Sequence, residues 1–394
     1  MKTYSSLELL EGRIAPSTVI VTNLNDSGAG SLRAAIAGSH NGDVIDFKTG
    51  LSGLIHVKSN LLIKDSLSIN GGGRITLDGG GSTQLFNISN NETSSVGLMG
   101  LTFRNGYGAD GGAIYATGSL SITDCVFKQN VASDSGGAIN QEGGQLTITG
   151  STFATNSSGS NMVGALAGGA IYADVKSITI TASNFSGNSS FEQGGAIWAF
   201  VSSSSPGAFT ITNTHFDANK CGGSGGAISE EMLGGSAVIS GSSFTKNSAS
   251  SAGALWLYGS AINLSSTQII GNTAKSGGGG EFVTPSGFLT MTSCKILHNT
   301  ATDGYGGGLI LGEDASLGVL LTLKSTEVAG NTAQGSAYGQ GGGIILAGGK
   351  LVLDHSVLTQ NIGAIGGGIF NNGGTVSNIA SIISGNSPNQ IYNA

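Results

Sequence analysis

Apolar and polar residues alternate in short runs along most of the chain. Leu120 and Ile122, Leu146 and Ile148, Ile178 and Ile180, and Phe209 and Ile211 each bracket a single Ser or Thr. A period of two over a few residues, flanked by Gly, Ser and Asn, predicts short β-strands, and the Thr, Ile and Val enrichment agrees. These strands recur inside a larger unit. Aligned on Gly-Gly-Ala/Gly-aliphatic, blocks start at Gly111, Gly136, Gly168, Gly194, Gly225, Ala252, Gly278, Gly306, Gly341 and Gly366. Each ends in an Asn: Asn130, Asn156, Asn188, Asn219, Asn247, Asn272, Asn299, Asn331, Asn361 and Asn386, with Asn105 as a weaker first member. The intervals run from 25 to 32 residues. Such variation excludes a fixed helical repeat and suits a solenoid whose loops absorb insertions.

Three short strands per block make one triangular coil, and stacking the coils gives an all-β, right-handed parallel β-helix. The position three before Asn is Phe127, Phe153, Phe185, Phe216 and Phe244, then Ile269, Ile296, Val328, Leu358 and Ile383. It predicts one core column that passes from aromatic to aliphatic. The Asn is expected in a turn, where it tolerates left-handed backbone angles, and its amide can join a hydrogen-bonded ladder. The paired glycines are expected at tight corners. The N-terminal part reads differently. Val19-Ile20-Val21 predicts a strand, and Ser31 an N-cap for a short helix that puts Leu32, Ala35 and Ile36 on one face, ended by Gly38. A solenoid needs its open end covered. The division expected is therefore a targeting-like segment over 1–18, a cap over 19–53 and the β-helix over 54–394.

Gly-Gly-Ala-Ile together with Phe-x-x-Asn, repeated in this order over roughly residues 100 to 390, resembles the passenger regions of the chlamydial polymorphic outer-membrane proteins and related β-helix adhesins. That resemblance implies surface exposure and adhesion. Those proteins end in a membrane-spanning barrel, whereas this sequence stops just after its last coil, so the resemblance does not extend to a barrel anchor. The segment from Ser31 to Ile36 resembles the Ser-Leu-Arg-Glu-Ala-Ile motif of bacterial β-helix surface proteins, with Ala34 where Glu is usual. Leu7-Glu8-Leu9-Leu10-Glu11-Gly12-Arg13-Ile14-Ala15-Pro16-Ser17 resembles a short motif at the start of many large secreted bacterial repeat proteins and implies export. A short amphipathic helix is the other reading of those residues.

Composition narrows the partners. Gly contributes 69 of 394 residues, charged residues only 10% and hydrophobic ones 39%, so a buried core is available to a Gly-rich chain. The net charge is −7 and no Lys/Arg run appears, which argues against nucleic acid as a partner. No run reaches the length of a membrane-spanning helix. Cys125, Cys221 and Cys294 have neither disulfide nor zinc spacing. Cys125 and Cys294 share a repeat phase, yet lie six coils and so roughly 29 Å apart. All three read as small core or surface residues.

β-Helices also carry polysaccharide lyases and glycoside hydrolases, whose chemistry needs converging carboxylates or a strong base beside calcium ligands. Acidic residues here are scattered. The densest pairs, Glu230-Glu231 and Glu313-Asp314, read as solvated residues of the excursions between strands, and the histidines (His40, His56, His215, His298, His355) lack metal-ligand spacing. No catalytic residue, cofactor or metal site is assigned, and whether the chain is an enzyme is left open, leaning against. Thr147/Thr149, Thr179/Thr181 and Thr210/Thr212 share one phase on consecutive coils and are expected to point outward as a flat ladder able to meet ice or carbohydrate. The expected function is a non-catalytic secreted or cell-surface scaffold that meets a host, cell-surface or polysaccharide partner. A pectin-lyase-like enzyme and a flat-lattice binder are the alternatives. The excursions at 157–167, 200–208, 230–236 and 312–319 are further places for recognition. The oligomeric state is not legible.

Overall fold

The computed structural model describes residues 16–89, 94–159, 167–202, 207–232, 235–259, 261–284, 287–312, 319–335 and 339–394. It is a parallel β-helix of about 13 turns, 2% helical. One coil shows the plan. From the turn at Gly136-Gly137 the chain enters the strand Ile139–Glu142, then Gln145–Thr149, Thr152–Ala154 and Ser157–Ser158 before the next glycine pair. Three sides result: a return sheet with thirteen strands among the described residues, ten of which follow the glycine corners of the repeat, a broad sheet, and a narrow sheet of short strands. The broad side is broken in two, because Gly150 (φ +61°) kinks the chain between Thr149 and Ser151.

Registry fixes the columns. Leu146 pairs with Ile178 and that with Phe209, and every one of these is fully buried. The expected ring column forms, starting one coil earlier at Phe103. From Phe103 through Phe127, Phe153, Phe185 and Phe216 to Phe244, successive centroids lie 4.6–4.8 Å apart with planes within 9°. This is the coil spacing itself, so the strand repeat imposes the face-to-face stack. Ile269 and its successors continue it in aliphatic form.

A second column occupies the kink. Ser151, Ser183, Thr214, Ser242, Thr267, Thr326 and Ser356 are buried there, and each hydroxyl returns a hydrogen bond to the carbonyl two residues back. The Ser151 oxygen also accepts from the Cys125 amide of the preceding coil at 3.1 Å. Cys125 and Cys294 stand in this column with thiols in place of hydroxyls.

The ten asparagines form the ladder, but not in the expected backbone conformation. Left-handed geometry falls on the residue before each, for example Gln129 (φ 57°), Thr155 (φ 53°) and Ala218 (φ 54°). The Asn points inward and is buried. Asn105 is not a member: it holds the left-handed site (φ 50°), and the Gly106 amide donates to Asn130 Oδ1 instead. The glycine pair divides its work. Gly136 takes φ +67°, whereas at Gly137 a Cβ would lie 2.1 Å from the Gly169 carbonyl oxygen. In the block read from Gly278, registry assigns the left-handed position to Gly277 (φ +61°), opposite Ala252 (φ 53°).

At the N-terminal end, Thr18–Val21 pairs in parallel with Val44–Phe47. The helix Leu32–Ala37 follows Ser31, whose oxygen accepts from the Ala34 amide, and it buries Leu32, Ala35 and Ile36. This is the predicted helix, and it packs on the strand Leu61–Ile63. Arg33 ties the helix down by pairing with Asp26 at 2.9 Å and donating to the Ser59 and Asn60 carbonyls.

Candidate binding surface

On the broad sheet the outward threonines stand as the alternation requires. Thr147, Thr179 and Thr210 are direct neighbours on adjacent strands, as are Thr149, Thr181 and Thr212. Thr147, Thr149 and Thr179 are exposed, and Thr181, Thr210 and Thr212 half-exposed. Ser121 and Thr123 precede them, and Val238/Ser240 and Asn263/Ser265 interrupt the ladder before Thr290/Thr292. Gly97, in register with Ser121, lies in a depression of about 490 Å³ lined by Val44, Ser68, Met99, Ser121 and Thr123 among others. The loops expected to carry recognition fall largely on residues 160–166, 203–206, 233–234 and 313–318, outside the described residues. So do Leu7 to Ala15, Glu313 and Asp314.

The return sheet shows a surface that the sequence reading missed. The residue after each Gly-Gly-Ala/Gly-aliphatic points away from the core, and registry aligns Tyr115, Asn140, Tyr172, Trp198, Ser229, Trp256 and Glu281 in one column, in which Asn140, Trp198 and Ser229 are buried and the others half-buried. Two residues further on, Glu142, Asp174, Phe200, Glu231 and Tyr258 form a second. The Tyr172 and Trp198 rings stack with centroids 4.8 Å apart. Tyr115 donates its hydroxyl to Glu142 at 3.1 Å. The sequence signal was there, one position per block, but it alternates between aromatic and small polar residues.

Carboxylates gather at the Tyr115–Tyr172 end. Burial first, then the charges of Asp174, Glu142, Asp110 and Asp134, push the Tyr172 phenol up to about 12. Burial and the nearby Glu142 raise Tyr115, and burial and Asp110 raise the Asp134 carboxyl. Asn140 lies between the two tyrosines, 1% exposed. Its Nδ2 reaches Asp110 at 3.4 Å, while its Oδ1 accepts no hydrogen bond.

Glu230 corrects the expectation of a solvated acidic pair in an excursion. It lies within the strand Ile228–Met232, and alternation turns it inward to full burial while Glu231 faces out. Its column neighbours are Ala199 and Leu257, neither carboxylate oxygen has a partner, and burial followed by the Glu231 charge raises its pKa well above normal. The two carboxyls therefore cannot converge on a substrate. All three cysteines are buried, and burial lifts Cys125 to about 11 and Cys221 to about 12. His215 is exposed on the broad sheet against Ser243, and His298 sits at a left-handed site before Asn299. Among the described residues no three His, Cys, Asp or Glu side chains are placed to hold a metal ion, and no helix is long and apolar enough to cross a membrane.

Residues 124–142 match the family model of the Chlamydia polymorphic membrane protein (Chlamydia_PMP) repeat. That stretch runs from the kink at Asp124 through Phe127, Asn130 and the Gly136-Gly137 corner to Glu142, one passage of the coil. No curated protein and no solved structure matches the chain. The matched repeat and the stacked coils together make this a β-helix repeat protein that resembles the passenger regions of polymorphic membrane proteins.

Proposed function

We propose that the chain is a non-catalytic, secreted or cell-surface scaffold, adhesin-like, whose outer faces bind a cell-surface or glycan partner. One observation carries this reading. The Phe, Asn and hydroxyl positions of the repeat are consumed inside the coil, while strand registry brings the outward residues into columns, with Thr repeated over three consecutive coils. Such a surface suits extended contact more than a local reaction. The threonines Thr147, Thr149, Thr179, Thr181, Thr210 and Thr212 are one proposed contact area, for a flat or repetitive partner. In this reading residues 1–18 direct export, 19–53 cap the solenoid and 54–394 present the surface.

Binding of the purified chain to immobilised cells and to a panel of acidic and neutral glycans tests the proposal. Saturable retention without release of glycan fragments is expected. Fragment release, with loss of activity on substitution of outward carboxylates, would overturn the non-catalytic reading.

A further inference from the structure

Among the described residues the basic side chains avoid the strands of one face, while acids stand on both the broad and the return sheet. The thirteen strands of the return sheet contain no Lys or Arg. They carry Glu142, Asp174, Glu231 and Glu281 outward. Lys128, Lys295, Lys324 and Lys350 lie instead on the broad sheet, and Lys220 and Lys275 on the narrow one. The nearest base along the chain, Lys176, stands at the turn just past Val175.

Aromatic rings are interleaved with these acids, and a cation over a ring face is attracted by its quadrupole. Asn140 supplies an independent sign of a ligand. It is buried in the outward column between Tyr115 and Tyr172, and its unfilled valence is an acceptor. Around Tyr172 stand the carboxylates of Asp174, Glu142, Asp110 and Asp134, and no strand of the return sheet supplies a Lys or Arg to pair with them. A complementary ligand brings donors and positive charge and no acceptor of its own, which describes Lys and Arg side chains.

We infer that the return sheet between Tyr115 and Tyr258 is the docking face for a Lys/Arg-bearing extended segment of a partner polypeptide. This rests on the reading of the chain as a binding scaffold and names the partner's chemistry. Glu142 and Glu231 lie three coils apart, roughly 14 Å, the reach of about four extended residues. A segment running along the solenoid axis therefore meets both with basic residues a few positions apart.

The chain's two tryptophans, Trp198 and Trp256, both sit in this face, so intrinsic fluorescence reports on it directly. A nona-arginine peptide titrated into the full chain at low salt is expected to change tryptophan emission, and to bind several-fold more weakly at higher ionic strength. The double variant Glu142→Gln/Asp174→Asn is expected to weaken binding at least tenfold. Glu327→Gln/Asp354→Asn, an equal change of charge on the broad sheet, is expected to change it less than twofold. Equal weakening by both pairs, or no binding at low salt, overturns the inference. Spermine competing fully at equal charge concentration would overturn the assignment to a polypeptide. Cell or glycan binding that survives the return-sheet variant unchanged removes this face as the docking site and leaves the scaffold reading standing.

Discussion

Asn130 and Asn156 share one oxygen. The Asn130 side-chain amide donates to Asn156 Oδ1 at 2.9 Å, and the Asn130 backbone amide donates to the same atom at 3.1 Å. The other amide proton of Asn130 goes back to the Phe103 carbonyl at 3.1 Å. At Asn156 both donors and both acceptor positions of the buried amide are filled, and the pattern repeats from coil to coil up to Asn386, where Gln390 Oε1 takes the place of the next Asn. A full complement of partners is what makes a buried polar column tolerable.

Replacing a central member therefore costs more than its own bonds. Asn219→Ala strands the Asn188 side-chain and backbone donors and the Phe185 carbonyl in the core. A loss of about 3 kcal/mol or more is expected from groups left unsatisfied, read as a lower urea midpoint. Asn219→Asp is expected to cost still more, since it sets a carboxylate against Asn247 Oδ1. A change within about 0.5 kcal/mol for Asn219→Ala, typical of a surface site, would contradict the ladder.

Glu230 gives the protein a pH-dependent weakness. Its folded pKa lies above the unfolded value, so the folded state holds the proton more tightly. Stability from this group is greatest below about pH 4.3, falls as pH rises toward the folded pKa, and stays low above it. Asp26, Asp43 and Asp78, held low by hydrogen bonds and, for Asp26 and Asp78, by Arg33 and Arg104, act in the opposite sense, and their stabilisation is lost in acid. The difference between wild type and Glu230→Gln isolates the one group. The variant is expected to gain stability relative to wild type as pH rises from 5 to 8, followed by thermal midpoint. Glu230→Leu, matching Leu257 above it, is expected to stabilise at pH 8.

The thiols are expected to be silent. Buried, with Cys125 at about 11 and Cys221 at about 12, they present little thiolate at neutral pH. A chromogenic disulfide reagent should modify fewer than one thiol per native chain and all three after unfolding in urea. Rapid modification of the native protein would contradict their place in the kink and narrow-side columns.

Much of this fold was legible because periodicity reports packing. The Leu146/Ile148 alternation gave the broad sheet, the phase from Phe127 to Phe244 gave the ring column, and Ser31 gave the cap helix. Backbone angles were less legible: left-handed geometry fell on Gln129, Thr155 and Lys246, residue types with no marked preference for it, and stacking rather than propensity decides there. Glu230 was misread because adjacent acids usually mean solvent. The phase set by buried Ile228 and Met232 sends it inward all the same. The outward Thr ladder was readable, since three coils repeat it without a break. The return-sheet column was not, because Asn140 and Ser229 interrupt the aromatic residues that registry brings together.

The central claim is that these columns serve a scaffold presented outside the cell. Its most direct test is labelling of intact cells of the source organism with a membrane-impermeant amine reagent, followed by recovery of the chain from cells and medium. The account predicts a labelled chain at the cell surface or in the medium while a cytosolic marker stays unlabelled. A chain found wholly inside, and labelled only after lysis, would contradict it.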